Sequence, residues 1–119
     1  MPIGAIPFDT PREPLGPLVP PGAYTVRLTV DGVAASRPLV VKMDPRVRAS
    51  QADLEAQHRL AVRLAAAMKT TYEARQRKGN EVKAADLEKW NGRLAQLLGV
   101  VDGADAAPTA QAVALAEEC

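Results

Sequence analysis

Large aromatic side chains are almost absent from this sequence: one Trp, two Tyr and one Phe in 119 residues. Few residues can therefore bury the area that Phe, Tyr and Trp usually contribute. A core made mostly of Ala, Val and Leu is thin, which predicts marginal stability unless something else covers it. Only one cysteine is present, Cys119, which excludes an internal disulfide framework. The one histidine, His58, has no His, Cys or acidic spacing around it that would complete a metal site. No run approaches the roughly 20 apolar residues of a membrane span. Nor is there an excess charge of one sign: the formal net charge is +1. Domains that bind nucleic acid electrostatically concentrate unpaired Lys and Arg on one face. The densest basic run here, Arg75, Arg77 and Lys78, follows Glu73 and reads as the solvated end of a helix.

Prolines and glycines crowd the first 22 residues: Pro2, Pro7, Pro11, Pro14, Pro17, Pro20 and Pro21, with Gly4, Gly16 and Gly22 between them. Proline fixes φ and removes a backbone donor, so an extended arm is expected over 1–22. Met1 to Thr10 has no basic start and no apolar stretch of the signal-peptide kind, so the sequence as written predicts a cytoplasmic chain.

The pattern then changes. Tyr24, Val26, Leu28 and Val30 alternate with Thr25, Arg27 and Thr29, the period of a half-buried strand. Asp31-Gly32 suits a two-residue hairpin turn that needs positive φ. A return strand is expected through Met43, with Leu39, Val41 and Met43 on the apolar face. Such a turn sets Val26 opposite Arg37 and puts an arginine on that face. The sequence thus predicts either a bulge near Pro38 or a hairpin that opens at its base. The hairpin region is assigned to 23–47.

From 48 onward the period is helical. Ser50 and Asp53 resemble a capping box. Leu54, Ala61, Leu64, Ala65, Met68 and Tyr72 follow at helical spacing, predicting a helix over about 51–78 that Gly79-Asn80 interrupts. Leu87, Trp90, Leu94, Leu97 and Leu98 predict a second helix over about 83–98, with Gly99 as its C-terminal cap. Pro108-Thr109 opens a third over about 109–118. The fold class is α+β: a Pro-rich arm and β-hairpin, then a helical region over 48–119 made of a helical hairpin and a short last helix.

Chemistry is hard to find. Glycoside hydrolysis needs two carboxylates roughly 5–9 Å apart across a cleft. Asp44 and Asp53 are the loosest of candidates, Asp53 is committed to the cap, and Glu117 and Glu118 have no cleft to line. His58 reads as a partly buried helix histidine. Cys119 could act as a nucleophile only with a base nearby and reads instead as a terminal thiol that oxidises or links two chains, and no phosphate-binding glycine loop occurs. No catalytic residue, metal or cofactor is therefore assigned, and the chain is read as a non-enzyme.

Two segments carry a resemblance. Pro17-Leu18-Val19-Pro20-Pro21-Gly22-Ala23-Tyr24-Thr25-Val26-Arg27-Leu28-Thr29-Val30-Asp31-Gly32, with Pro38-Leu39-Val40-Val41-Lys42-Met43-Asp44-Pro45-Arg46-Val47, resembles the C-terminal region of large bacterial proteins described as glycosyl hydrolases. Those proteins carry BNR or sortilin (VPS10)-like β-propeller repeats. The tail from Val101 to Thr109 is similar to theirs as well. The resemblance implies that the hairpin is part of an immunoglobulin- or fibronectin-like sandwich and that helices follow it. It also implies secretion or a periplasmic location if the chain belongs to a larger family member. The propeller and the earlier sandwich strands have no counterpart in the sequence, so no family catalytic residue carries over. The simplest account is a truncated or remnant copy of the C-terminal module.

An isolated two-stranded hairpin is marginal in water. Two outcomes are open: the helices fold back over the sheet, or the strand edges pair with another chain. The sequence therefore reads as a non-catalytic structural or interaction module, its partner a protein, either a second copy or a missing propeller domain. Tyr24, Leu28, Trp90 and Leu94 are the candidate anchors, with Trp90 equally readable as the core of the helical hairpin. The alternative is a fragment of a secreted sugar-processing enzyme, inactive without its propeller. A small adaptor that adds a hairpin edge to another protein's sheet is a third reading.

Overall fold

Asp31 and Gly32 both adopt positive φ, 49° and 80°, the pair of values a type I′ turn requires. The turn joins strands β1 (Gly22–Val30) and β2 (Val33–Val41), which pair antiparallel as a two-stranded sheet. The computed structural model describes residues 16–77 and 81–118. Most of the arm expected over 1–22 and the Gly79-Asn80 interruption lie outside these residues.

The ladder is regular from Val30↔Val33 through Val26↔Arg37 and Thr25↔Pro38 to Gly22↔Val41. Neither the bulge nor the opened base expected from Arg37 occurs. Arg37 is tolerated because its face of the sheet meets water, and its guanidinium donates to the Ser36 carbonyl at 3.2 Å. Pro38 fits for a different reason. Hydrogen-bonded and non-hydrogen-bonded pairs alternate along an antiparallel ladder, and the turn makes Val30–Val33 a bonded pair. Thr25–Pro38 is then non-bonded, and an amide hydrogen at Pro38 would point away from β1.

Past β2, Asp44 accepts from the Arg46 backbone N–H at 2.9 Å and from its guanidinium at 2.6 Å. The guanidinium first, then the backbone donor, holds the exposed Asp44 carboxyl below its ordinary range. Helix α1 (Gln51–Gln76) starts at the expected capping box: Ser50 Oγ accepts from Asp53 N, and the Asp53 side chain accepts from Ser50 N at 3.0 Å. The Ser50 hydroxyl, then its N–H, lowers the Asp53 pKa.

Helix α2 (Glu81–Val101) begins before and ends beyond its expected bounds, running through Gly99. A glycine inside a helix costs only about 1 kcal/mol. The extra turn buries Val101 in the core, so packing outweighs propensity. Helix α3 (Ala110–Glu118) is capped by Thr109, whose Oγ1 accepts from Ala112 N at 3.2 Å. The core comprises Leu60, Ala61 and Leu64 of α1, Leu94, Leu97 and Val101 of α2, and Ala112 and Ala116 of α3.

The core lies wholly within the helices. Among the described residues no helix packs on either strand, so the hairpin projects from the helical layer. The radius of gyration is accordingly 17.4 Å, where a compact domain of about 100 residues has roughly 13 Å.

Candidate functional site

The register sorts the hairpin into two faces. One carries Tyr24, Val26, Leu28, Val30, Val33, Ala35, Arg37, Leu39 and Val41. It is apolar except for Arg37, and most of it is open to water: Leu28 is 64% and Val33 74% exposed. Single exposed apolar residues are ordinary, but a contiguous sheet face of them is not. Covering Val26, Leu28, Val30, Val33 and Leu39, each about half exposed or more, would contribute roughly 1 kcal/mol apiece. Among the described residues both strand edges are also unpaired.

The foot of the hairpin is fixed more firmly than its tip. Tyr24 Oη donates to the Pro20 carbonyl at 2.5 Å, folding the preceding segment against the start of β1. His58 Nδ1 lies 2.7 Å from the Leu18 carbonyl, and since a carbonyl only accepts, that nitrogen carries the proton. Asp102, in the turn after α2, is close enough to the Leu18 N–H for that dipole to favour its charged form. The backbone of Leu18 is thus held by α1 through His58 and lies close to the turn after α2. Partial burial raises the Asp102 pKa, and the Leu18 N–H and His58 oppose that shift. A small cavity of about 130 Å³ remains at this junction, between Leu18, Pro21, Met43, Leu54 and His58.

The four residues singled out from sequence fall in three environments. Leu28 is on the open sheet face, and Tyr24 is half-buried at its foot. Leu94, only 3% exposed, belongs to the helical core. Trp90 is 40% exposed on the next turn of α2, with Arg93 stacked 5.1 Å from its ring centroid. It walls two open grooves, one shared with Leu97, Val100 and Leu115, the other with Ala67, Thr70, Thr71, Leu87 and Leu94. Sequence reasoning left out Val33, whose place on the open face follows from the turn, and Gln57, whose buried amide no local pattern marks.

Among the described residues the fold adds no partner to the candidate carboxylates. Asp44 is engaged by Arg46 and Asp53 by Ser50. Among the described residues no group of three His, Cys, Asp or Glu could hold a metal ion. No helix among them is long and apolar enough to cross a membrane. No family model matches the chain, and neither a curated protein nor a solved structure matches it.

Proposed function

We propose that this chain is a non-catalytic interaction module whose hairpin completes a β-sheet assembly with strands from another polypeptide segment. The observation that carries the reading is the exposed apolar face from Tyr24 to Val33 and back to Leu39, which no helix covers. A two-stranded sheet gains stability only from further strands or from an element packed on one face. The helices supply neither.

A second observation favours a sandwich as the completed form. In Greek-key sandwiches a tyrosine near the start of a strand donates to a backbone carbonyl a few residues upstream. Tyr24 makes a bond of that kind to Pro20 at the entry of β1. This fits the resemblance to the C-terminal region of BNR-repeat or sortilin-like propeller proteins, in which the hairpin would be the closing pair of an immunoglobulin-like unit. On this reading the module has no turnover of its own, and the helices anchor the foot of the hairpin through His58 and Asp102.

Amide hydrogen exchange on the purified chain tests the proposal. Leu28 and Ala35, a bonded pair in mid-ladder, should exchange orders of magnitude faster than Leu64 and Leu94 in the helical core. Equal protection would mean that the hairpin is stable uncovered, and the reason to expect a partner sheet would be gone.

A further inference from the structure

The two edges of the hairpin differ chemically. In an antiparallel ladder the residues of non-bonded pairs turn their N–H and C=O groups outward. On β1 these are Ala23, Thr25, Arg27 and Thr29, and on β2 Ala34, Ser36, Pro38 and Val40. The β2 edge is closed at its centre. Pro38 has no N–H to offer, and the Arg37 guanidinium already donates to the Ser36 carbonyl at 3.2 Å. Proline and charged side chains at such places are how native sheets blunt an edge. The β1 edge lacks a proline. Its four outward residues are exposed, and among the described residues nothing bonds to their outward backbone groups.

On the reading that the hairpin completes a sheet, we infer that the added strand pairs with β1 and belongs to a different polypeptide, one that sets a carboxylate beside Arg27. Backbone bonds hold such a strand, and its alternate side chains select it.

Charge identifies the kind of strand. The two charged side chains of the ladder, Arg27 and Arg37, are both cationic, and among the described residues neither is in an ion pair. Arg27 is an outward-bonding residue, so one residue of the added strand stands directly across from it. An opposite charge at such a pair stabilises, and a like charge destabilises. The residues on either side, across from Val26 and Leu28, fall on the open apolar face and extend it. The occupant is therefore an extended segment, acidic opposite Arg27 and apolar at the flanking positions. A second copy does not meet this requirement through its own β1, because that strand has no acidic residue in any register.

The test is nuclear magnetic resonance of the labelled full chain with a synthetic peptide as long as β1. The peptide alternates threonine and valine around one central glutamate, and a control has lysine at the centre. The glutamate peptide should shift the amides of Ala23, Thr25, Arg27 and Thr29 and bind at least about threefold more tightly than the control. Arg27→Glu, at an exposed position, should reverse that preference with helical circular dichroism unchanged. Thr25→Pro removes an outward donor from β1, as Pro38 does from β2, and should abolish binding. Shifts centred on Ala34, Ser36 and Val40 would put the partner on β2 and overturn the inference. So would equal affinity for the two peptides or no binding of either. Protection of β1 that follows protein concentration without peptide would make the occupant a second copy, which also overturns it. In each of these cases fast exchange at Leu28 and Ala35 in the dilute chain leaves the sheet-completion reading standing. Slow exchange there without peptide removes both.

Discussion

Gln57 Nε2 donates to the carbonyl of Val101 at 2.6 Å, across 44 positions of sequence. Val101 is the last residue of α2, where helical carbonyls have no partner of their own. The same amide also donates to the Ala104 carbonyl at 2.7 Å. A side chain from the first turns of α1 thus caps the C-terminal end of α2, and it does so at only 6% exposure. Gln57→Ala leaves two carbonyls without this donor and should cost about 1–3 kcal/mol. Urea denaturation followed by helical circular dichroism measures this. An unchanged midpoint would show that water replaces the amide without loss.

Leu64 is the most enclosed large side chain, at 2% exposure. Leu64→Ala should cost about 2–5 kcal/mol, a large share of the stability of so small a core. Leu28→Ala on the open sheet face should change the stability of the chain alone by no more than about 0.5 kcal/mol. Paired denaturation curves check the contrast. Equal losses would mean that the hairpin is covered in solution.

Removing one oxygen tests the foot of the hairpin. Tyr24→Phe keeps the ring but loses the bond to Pro20, at a cost of about 1 kcal/mol or less for a half-buried group. Nuclear magnetic resonance should show the largest shift changes at Val19 to Ala23, with the helical core unmoved. Changes spread evenly over the chain would contradict a local corner.

Asp102 sets a pH dependence of definite sign. Its folded pKa is raised above 3.8, first by burial, so the folded state binds the proton more tightly than the unfolded one. Stability attributable to this group therefore falls as pH rises from about 3.8 through the folded value. Asp44 and Asp53, whose values are lowered, act the other way and lose their contribution as pH falls. Asp102→Asn removes the charge at nearly constant size. The variant should be more stable than the parent near pH 7, the difference vanishing near pH 3. The opposite sign near pH 7 would mean that attraction to His58 outweighs burial.

Much of the local structure was legible because its causes lie within a few residues of each other. Asp31-Gly32 specified the turn, Ser50 with Asp53 the start of α1, and Thr109 the start of α3. Gly99 misled because a glycine after an apolar stripe resembles a cap, whereas buried Val101 carries the helix past it. The exposed residues Leu28 and Trp90 and the core residue Leu94 look alike in one dimension. Each is an apolar residue at the correct period, and the period does not say whether the element it faces exists.

The sequence by itself determined which side chains share a face, where turns and caps fall, and that the order is hairpin then helices. Only the tertiary structure decided that the helices pack on one another and leave the hairpin bare. Alternation and helical spacing are properties of a single element. What covers an apolar face depends on how two distant elements meet, and that is fixed by bonds such as Gln57 to Val101 and His58 to Leu18, which no local pattern encodes.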